Sequence, residues 1–159
     1  MTKKLDAIDL AILAALQENA DASIAEVAAQ AGVSQTPCWK RIKKMQAAGV
    51  IEKKVALVDP AAVGLKLVGY VHIRTAHHTE AWARKFSEAV KRIPEVVECH
   101  RMTGDIDYLM KIVSPDMEGY DEIYKRLIRI VDLSDVSVSF SMERLKSTTE
   151  LPLDYASRD

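Results

Sequence analysis

Val33-Ser34-Gln35-Thr36-Pro37-Cys38-Trp39-Lys40-Arg41-Ile42-Lys43-Lys44 is the stretch on which the fold turns. Ser34 suits a helix N-cap, because its hydroxyl can accept a first-turn backbone N–H. Val33 and Cys38 occupy the two positions of a hydrophobic staple. Pro37 falls in the first turn, where a missing N–H costs little. At helical spacing Cys38, Ile42, Met45 and Gly49 share an inward face, and Thr36, Lys40 and Lys43 point away from it, flanked by Trp39 and Lys44. Arg41 lies nearer the buried side, at an edge from which it is expected to reach a phosphate. Between Lys40 and Lys54 six Lys or Arg stand against one acid, a local +5 in a chain of net charge −1. Such a patch supplies the salt-dependent part of DNA affinity. Gln35 and Thr36, at the helix start, are the expected readers of base edges.

Upstream, Ser23-Ile24-Ala25-Glu26 is a capping box opening a helix through Gln30, and Gly32 provides the turn. Earlier still, Asp6 is placed to cap a helix with Ile8, Ile12, Leu13 and Leu16 inward. Gly49 stops the basic helix, and Ile51–Lys53 with Val55–Val58 read as a small β-ribbon. Three helices and a ribbon make a winged helix-turn-helix. Its DNA-facing residues are then Ser34, Gln35, Thr36, Trp39, Lys40, Arg41, Lys43 and Lys44.

The composition fits that reading. The chain has 159 residues, 48% of them hydrophobic, enough for one or two small cores. No apolar run approaches a membrane span and no signal peptide is visible, so a cytoplasmic, nucleoid-associated protein is expected. The two cysteines, Cys38 and Cys99, make neither a disulfide framework nor a zinc pattern. No nucleophile–base pair and no metal-ligand spacing occurs, so an enzyme is not expected, nor a metal or other cofactor. His72, His77, His78 and His100 read as surface residues, and Trp82 with Phe86 as core.

Asp59-Pro60-Ala61-Ala62-Val63-Gly64 is a punctuated joint. It divides the chain into a DNA-binding domain at 1–58, a linker at 59–65 and a second domain at 66–159. In the second domain the pattern reads as a strand at Leu67–Thr75, a helix at Thr79–Ile93, strands at Val96–Met102 and Asp107–Val113, a helix at Asp116–Val131 with Met117, Tyr120, Ile123, Leu127 and Val131 inward, and a strand at Val136–Met142. The last strand puts Val136, Val138, Phe140 and Met142 on one side and its serines on the other. The order β-α-β-β-α-β is the ferredoxin-like split unit, so the fold class is α+β. Two helices cover one sheet face. The other face keeps apolar residues, which favours a sheet-on-sheet homodimer presenting two recognition helices to two half-sites.

Taken in order, Leu5-Asp6 with Asp9, Thr36-Pro37-Cys38, Asp59-Pro60 with Gly64, and Gly104-Asp105-Ile106-Asp107-Tyr108-Leu109 resemble the Lrp/AsnC (feast/famine) transcriptional regulators over essentially the full length. The resemblance implies a winged helix-turn-helix followed by a ligand-binding βαββαβ (RAM/AsnC-type) domain, dimers that assemble further, commonly to octamers, and a response to amino acids. Thr36-Pro37-Cys38-Trp39-Lys40-Arg41, Lys54-Val55-Ala56-Leu57, His77-His78, Arg101-Met102, Tyr120-Asp121 and Leu133-Ser134-Asp135-Val136 look like the cysteine-responsive branch. That likeness implies cysteine as effector, with leucine or another amino acid as the family's other choices.

An amino acid needs acceptors for its ammonium and N–H donors for its carboxylate. The turn Thr103, Gly104, Asp105 to Asp107 offers both. The resemblance adds Met117, Ser139, Phe140 and Ser141 to this site, at an interface between dimers, although the family usually carries bulkier residues where Ser139 and Ser141 stand. The expected partners are double-stranded DNA, an amino acid ligand and further copies of the chain, with no membrane. The competing expectation is an architectural protein that wraps DNA around a multimer without an effector.

Overall fold

The computed structural model describes residues 5–130 and 133–156; the expected inward position of Val131 lies outside them. The chain forms two compact units, one from the described part of 1–56 and 146–159, the other from 57–145.

The first unit is a three-helix head. Helix α1 (Ala7–Glu18) opens on a reciprocal cap: Asp6 Oδ1 accepts the Asp9 N–H at 2.9 Å, and Asp9 Oδ2 accepts the Asp6 N–H at 3.3 Å. Helix α2 (Ile24–Gln30) opens the same way through Ser23 and Glu26. Its end is set by Gly32, whose φ of 65° lets the Val33 N–H return to the Ala28 carbonyl at 3.0 Å. Helix α3 (Gln35–Ala47) follows at once and stops at Gly49 with the same pattern of bonds. Leu10, Ile12, Leu13, Val27, Cys38, Ile42 and Met45 form the shared core, with Ile8 and Leu16 packed at its margin. Gly49, expected on the inward face of α3, instead lies beyond the helix end.

Two expectations about the head are corrected. The ribbon expected at Ile51–Lys53 and Val55–Val58 does not form; this segment has no strand pairing among the described residues, and Val55, Leu57 and Val58 are exposed. Two short strands alone bury too little to hold themselves together. The expected second domain ran from 66 to 159, yet the stretch after 146 belongs to the head. There Leu153 and Ala156 pack against the helical core.

The second unit follows the expected order. Strands β1 (Leu67–Arg74), β2 (Val96–Arg101), β3 (Tyr108–Ser114) and β4 (Asp135–Phe140) form one antiparallel sheet in the order β2-β3-β1-β4. Helices α4 (Glu80–Lys91) and α5 (Met117–Ile130) bury one face with Val71, Ile73, Phe86, Val90, Met110, Ile112, Ile123 and Leu127. Trp82 stacks on Phe86 with centroids 5.1 Å apart, and both rings meet Tyr108. The alternation of the strands puts Tyr70, His72, Leu109, Lys111, Ser137 and Ser139 on the opposite face. Met117, expected inward, is exposed at the first residue of α5, and Met142, expected to continue the apolar side of β4, lies past the strand end and is fully exposed.

Candidate functional site

Helix α3 turns Cys38, Ile42 and Met45 into the core and leaves Gln35, Thr36, Lys40, Lys43 and Lys44 exposed, with Trp39 half exposed beside them. Among the described residues none of the three lysines is ion-paired, so their charge faces solvent undiminished. Ser34 is the N-cap with extended backbone, but its hydroxyl makes no cap hydrogen bond, contrary to expectation. That leaves first-turn N–H groups beside Gln35 and Thr36 without a side-chain cap, the arrangement that lets a helix start bind an anion.

Arg41 departs from this group. Its Nη1 donates to Asp6 Oδ2 at 2.6 Å and to Asp9 Oδ1 at 2.8 Å. At the edge from which it was expected to reach a phosphate, Arg41 is held by an internal bond from Nη1 to the cap of α1. The Asp9 backbone N–H and then the Arg41 guanidinium hold the Asp6 carboxyl below the usual carboxylate range.

In the second unit the Thr103–Asp107 turn joins β2 to β3, and Gly104 takes a φ of 109° that other residues rarely adopt. Asp107 is partly committed. Its Oδ2 accepts the Thr75 N–H at 2.8 Å and its Oδ1 lies 3.9 Å from His78 Nδ1. The Asp105 carbonyl accepts from Arg74 Nε at 2.7 Å, and Ser134 Oγ accepts the Ala76 N–H at 2.7 Å. Arg74, Thr75, His78 and Ser134 were missed in the sequence, because only the sheet register brings the end of β1 and the approach to β4 beside this turn.

The other four expected residues are elsewhere. Tyr108 pairs with Ile73, whereas Phe140 pairs with Gly69 and the Ser141 N–H bonds to the Val68 carbonyl. Phe140 and Ser141 therefore sit at the far end of β1, where Met117 also begins α5 just after Ser114, the partner of Leu67. At about 3.3 Å per residue the five steps from Ile73 to Val68 span about 17 Å. Phe140 meets Tyr120 edge-on, with centroids 5.1 Å apart on the helix-covered side, while Ser139 faces the other way. One chain does not gather the eight residues into one pocket.

Cys38 is buried and Cys99 exposed, both as free thiols. Among the described residues no group of three or more His, Cys, Asp or Glu is placed to hold a metal ion, and no helix is long and apolar enough to cross a membrane.

Residues 5–46 match the AsnC-type helix-turn-helix domain, and residues 68–151 match the Lrp/AsnC ligand binding domain. The chain belongs to the Lrp/AsnC family. Like the rest of that family it is a DNA-binding transcriptional regulator and not an enzyme. It is 45% identical over 157 residues to the glutamate uptake regulatory protein of Zymomonas mobilis, covering 99% of this chain and 96% of the relative. It is also 45% identical over 151 residues to the DNA-binding transcriptional activator DecR of Escherichia coli, covering 94% and 99%. An AsnC family transcriptional regulator from Agrobacterium tumefaciens superposes with a TM-score of 0.91 at 50% identity, covering 95% of this chain and 99% of that one. A Neisseria meningitidis regulator solved as a complex with L-Met superposes at 0.90 with 30% identity, covering 95% and 98%.

Proposed function

We propose that this Lrp/AsnC regulator reads DNA with Gln35 and Thr36 at the start of α3, grips phosphates with Lys40, Lys43 and Lys44, with Ser34 and Trp39 at the edges, and adjusts that grip in response to a small amino acid. The observation that carries the DNA face is the exposed strip of lysines on a helix whose other side is core. A homodimer on the open sheet face, assembling to an octamer, provides the several recognition helices that so few side chains per copy require. It acts at the nucleoid in the cytoplasm.

The effector reading has its own support. Thr103, Gly104, Asp105 and Asp107 at one end of the sheet and Met117, Phe140 and Ser141 at the other are two half-sites that a second copy unites, with Ser139 on the adjoining open face. The L-Met bound to the Neisseria regulator supports an amino acid as the ligand. Cysteine is the first effector to test, then leucine, methionine and asparagine. The dispersal of the eight residues within one chain favours a second reading, DNA wrapping by the multimer without an effector.

A thermal-shift screen of the full chain against the twenty amino acids separates the two. Stabilisation by one of them is the expected result, since a ligand that binds the folded state raises the melting temperature. A flat response to all twenty would favour the wrapping protein. Sedimentation velocity with and without the hit then reads the assembly.

A further inference from the structure

We infer that Arg41 is a positioning residue for DNA reading: an internal clamp that fixes how α3 presents itself to the groove, although it stands in a run of DNA-facing lysines. The inference rests on α3 being the DNA-facing helix, and the test below separates the two.

The geometry is closed. Arg41 flanks the buried stripe of α3, next to Ile42 and one turn from Cys38 and Met45. All four oxygens of the two carboxylates are occupied. Asp6 Oδ1 takes the Asp9 N–H, Asp9 Oδ2 takes the Asp6 N–H, and the two remaining oxygens take Arg41 Nη1. The Asp9 side chain is only 10% exposed. An Arg41 that swung to a phosphate would leave that largely buried charge with the Asp6 N–H as its remaining partner, which is unfavourable. The clamp also reaches across 32 and 35 positions of chain, from the reading helix to the first turn of α1. Packing of the apolar stripe in the head core seats α3. The charged bonds to two carboxylates are directional and tie that seat to the first turn of α1.

The charge balance adds to this. Asp6, Asp9 and Arg41 together carry −1, so this edge of the helix repels phosphate while the edge with Lys40, Lys43 and Lys44 attracts it. A wrongly rotated approach is penalised, which is how repulsion contributes to specificity.

The test compares two 30-base-pair duplexes: one selected by the unmodified protein from a random pool, and its scrambled counterpart. Affinities are measured by fluorescence anisotropy over a salt series on the full-length protein. Arg41→Met keeps the packed stem and removes the charge. Asp6→Asn keeps a good N-cap and removes one clamp bond. The expected result for Arg41→Met is a loss of about tenfold in the selected-to-scrambled ratio with the salt slope of the unmodified protein. Asp6→Asn should lose part of that ratio while binding scrambled DNA more tightly. A slope lower by about 0.9 per phosphate no longer neutralised in Arg41→Met, with the ratio retained, would make Arg41 a phosphate ligand and overturn the clamp. A lower melting temperature with an unchanged ratio in both variants would reduce it to a stabilising ion pair and also overturn it. If Arg41→Met fails to fold, Asp6→Asn decides alone. Lys43→Ala is the control: a slope unchanged in that variant would instead overturn the assignment of the α3 face.

Discussion

The side chain of Gln17 is matched to the peptide group of Leu151: its Nε2 donates to the Leu151 carbonyl at 3.1 Å, and its Oε1 accepts the Leu151 N–H at 2.8 Å. An amide on α1 thus acts as a strand neighbour for the C-terminal segment. Just beyond, Leu153 and Ala156 pack on the helical core. The head is therefore completed by chain that follows the sheet domain.

This pairing predicts that ending the chain after Glu150 lowers head stability by about 2 kcal/mol, because the apolar surface that Leu153 and Ala156 cover returns to water. Gln17→Ala should lose about 1 kcal/mol, the net worth of a hydrogen-bonded pair near the surface. Urea unfolding of the full and shortened chains by circular dichroism reads both. A shortened chain with an unmoved midpoint would show that the segment adds nothing.

The Asp6 cap predicts an acid limit for the head. Its folded carboxyl is held below the ordinary value by the Asp9 N–H and Arg41, and the unfolded chain lacks both. Between the two pKa values the unfolded state binds more protons, so this stabilisation is present above the unfolded pKa, about 4, and fades as pH falls through the lower, folded one. Arg41→Met should move the acid unfolding midpoint to higher pH. An identical midpoint in the variant would argue against the linkage.

Gly119 in the first turn of α5 gives a prediction of opposite sign to the usual rule. Gly→Ala in a helix ordinarily stabilises by up to about 1 kcal/mol. Here an added Cβ would stand 2.5 Å from Ser114 Oγ and 3.1 Å from Pro115. Ser114 is fully buried and donates to the Asp116 carbonyl at 2.9 Å. Gly119→Ala should therefore destabilise by about 1–3 kcal/mol, measured as a lower melting temperature. A gain in stability would show that Ser114 relocates at no cost.

Asp107 must be tested with the right substitution. Asp107→Ala removes the acceptor of the Thr75 N–H, in a residue 7% exposed, and should destabilise the sheet domain by about 1–3 kcal/mol whatever the effector does. Asp107→Asn retains an acceptor there and removes the charge. It should leave the apo melting temperature within about a degree while abolishing the shift caused by the amino acid hit. An Asp107→Asn protein that responds with normal affinity would remove Asp107 from the effector site.

The thiols should differ in reactivity. Burial pushes the Cys38 thiol up and desolvation raises Cys99 as well, but only Cys99 is exposed. One thiol should be modified by iodoacetamide in the native protein, increasingly so at alkaline pH, and the second only on unfolding. Mass spectrometry of digested samples distinguishes them.

The sequence by itself determined the elements and their order. Asp6 as a cap and Ser23 with Glu26 as a capping box are readable within a few residues, Gly32 marks the turn, and apolar periods of 3.6 and 2 separate the head helices from the βαββαβ unit. These are interactions between near neighbours, so the local residue types suffice. The exposed strip from Gln35 to Lys44 was legible for the same reason, because helical spacing says which side chains point away from a core.

The tertiary structure decided what those side chains meet. Arg41 looked like one more basic residue of the strip until its partners, 35 and 32 positions earlier, were in place. Leu151 looked like the tail of the second domain until Gln17 met it, and the segment after Val50 looked like a ribbon although no strand pairs with it among the described residues. The effector residues looked like one cluster until the register set Tyr108 against Ile73 and Phe140 against Gly69, at opposite ends of β1. Periodicity tells which face of an element is turned inward; only the register and packing of distant elements tell what lies across from it.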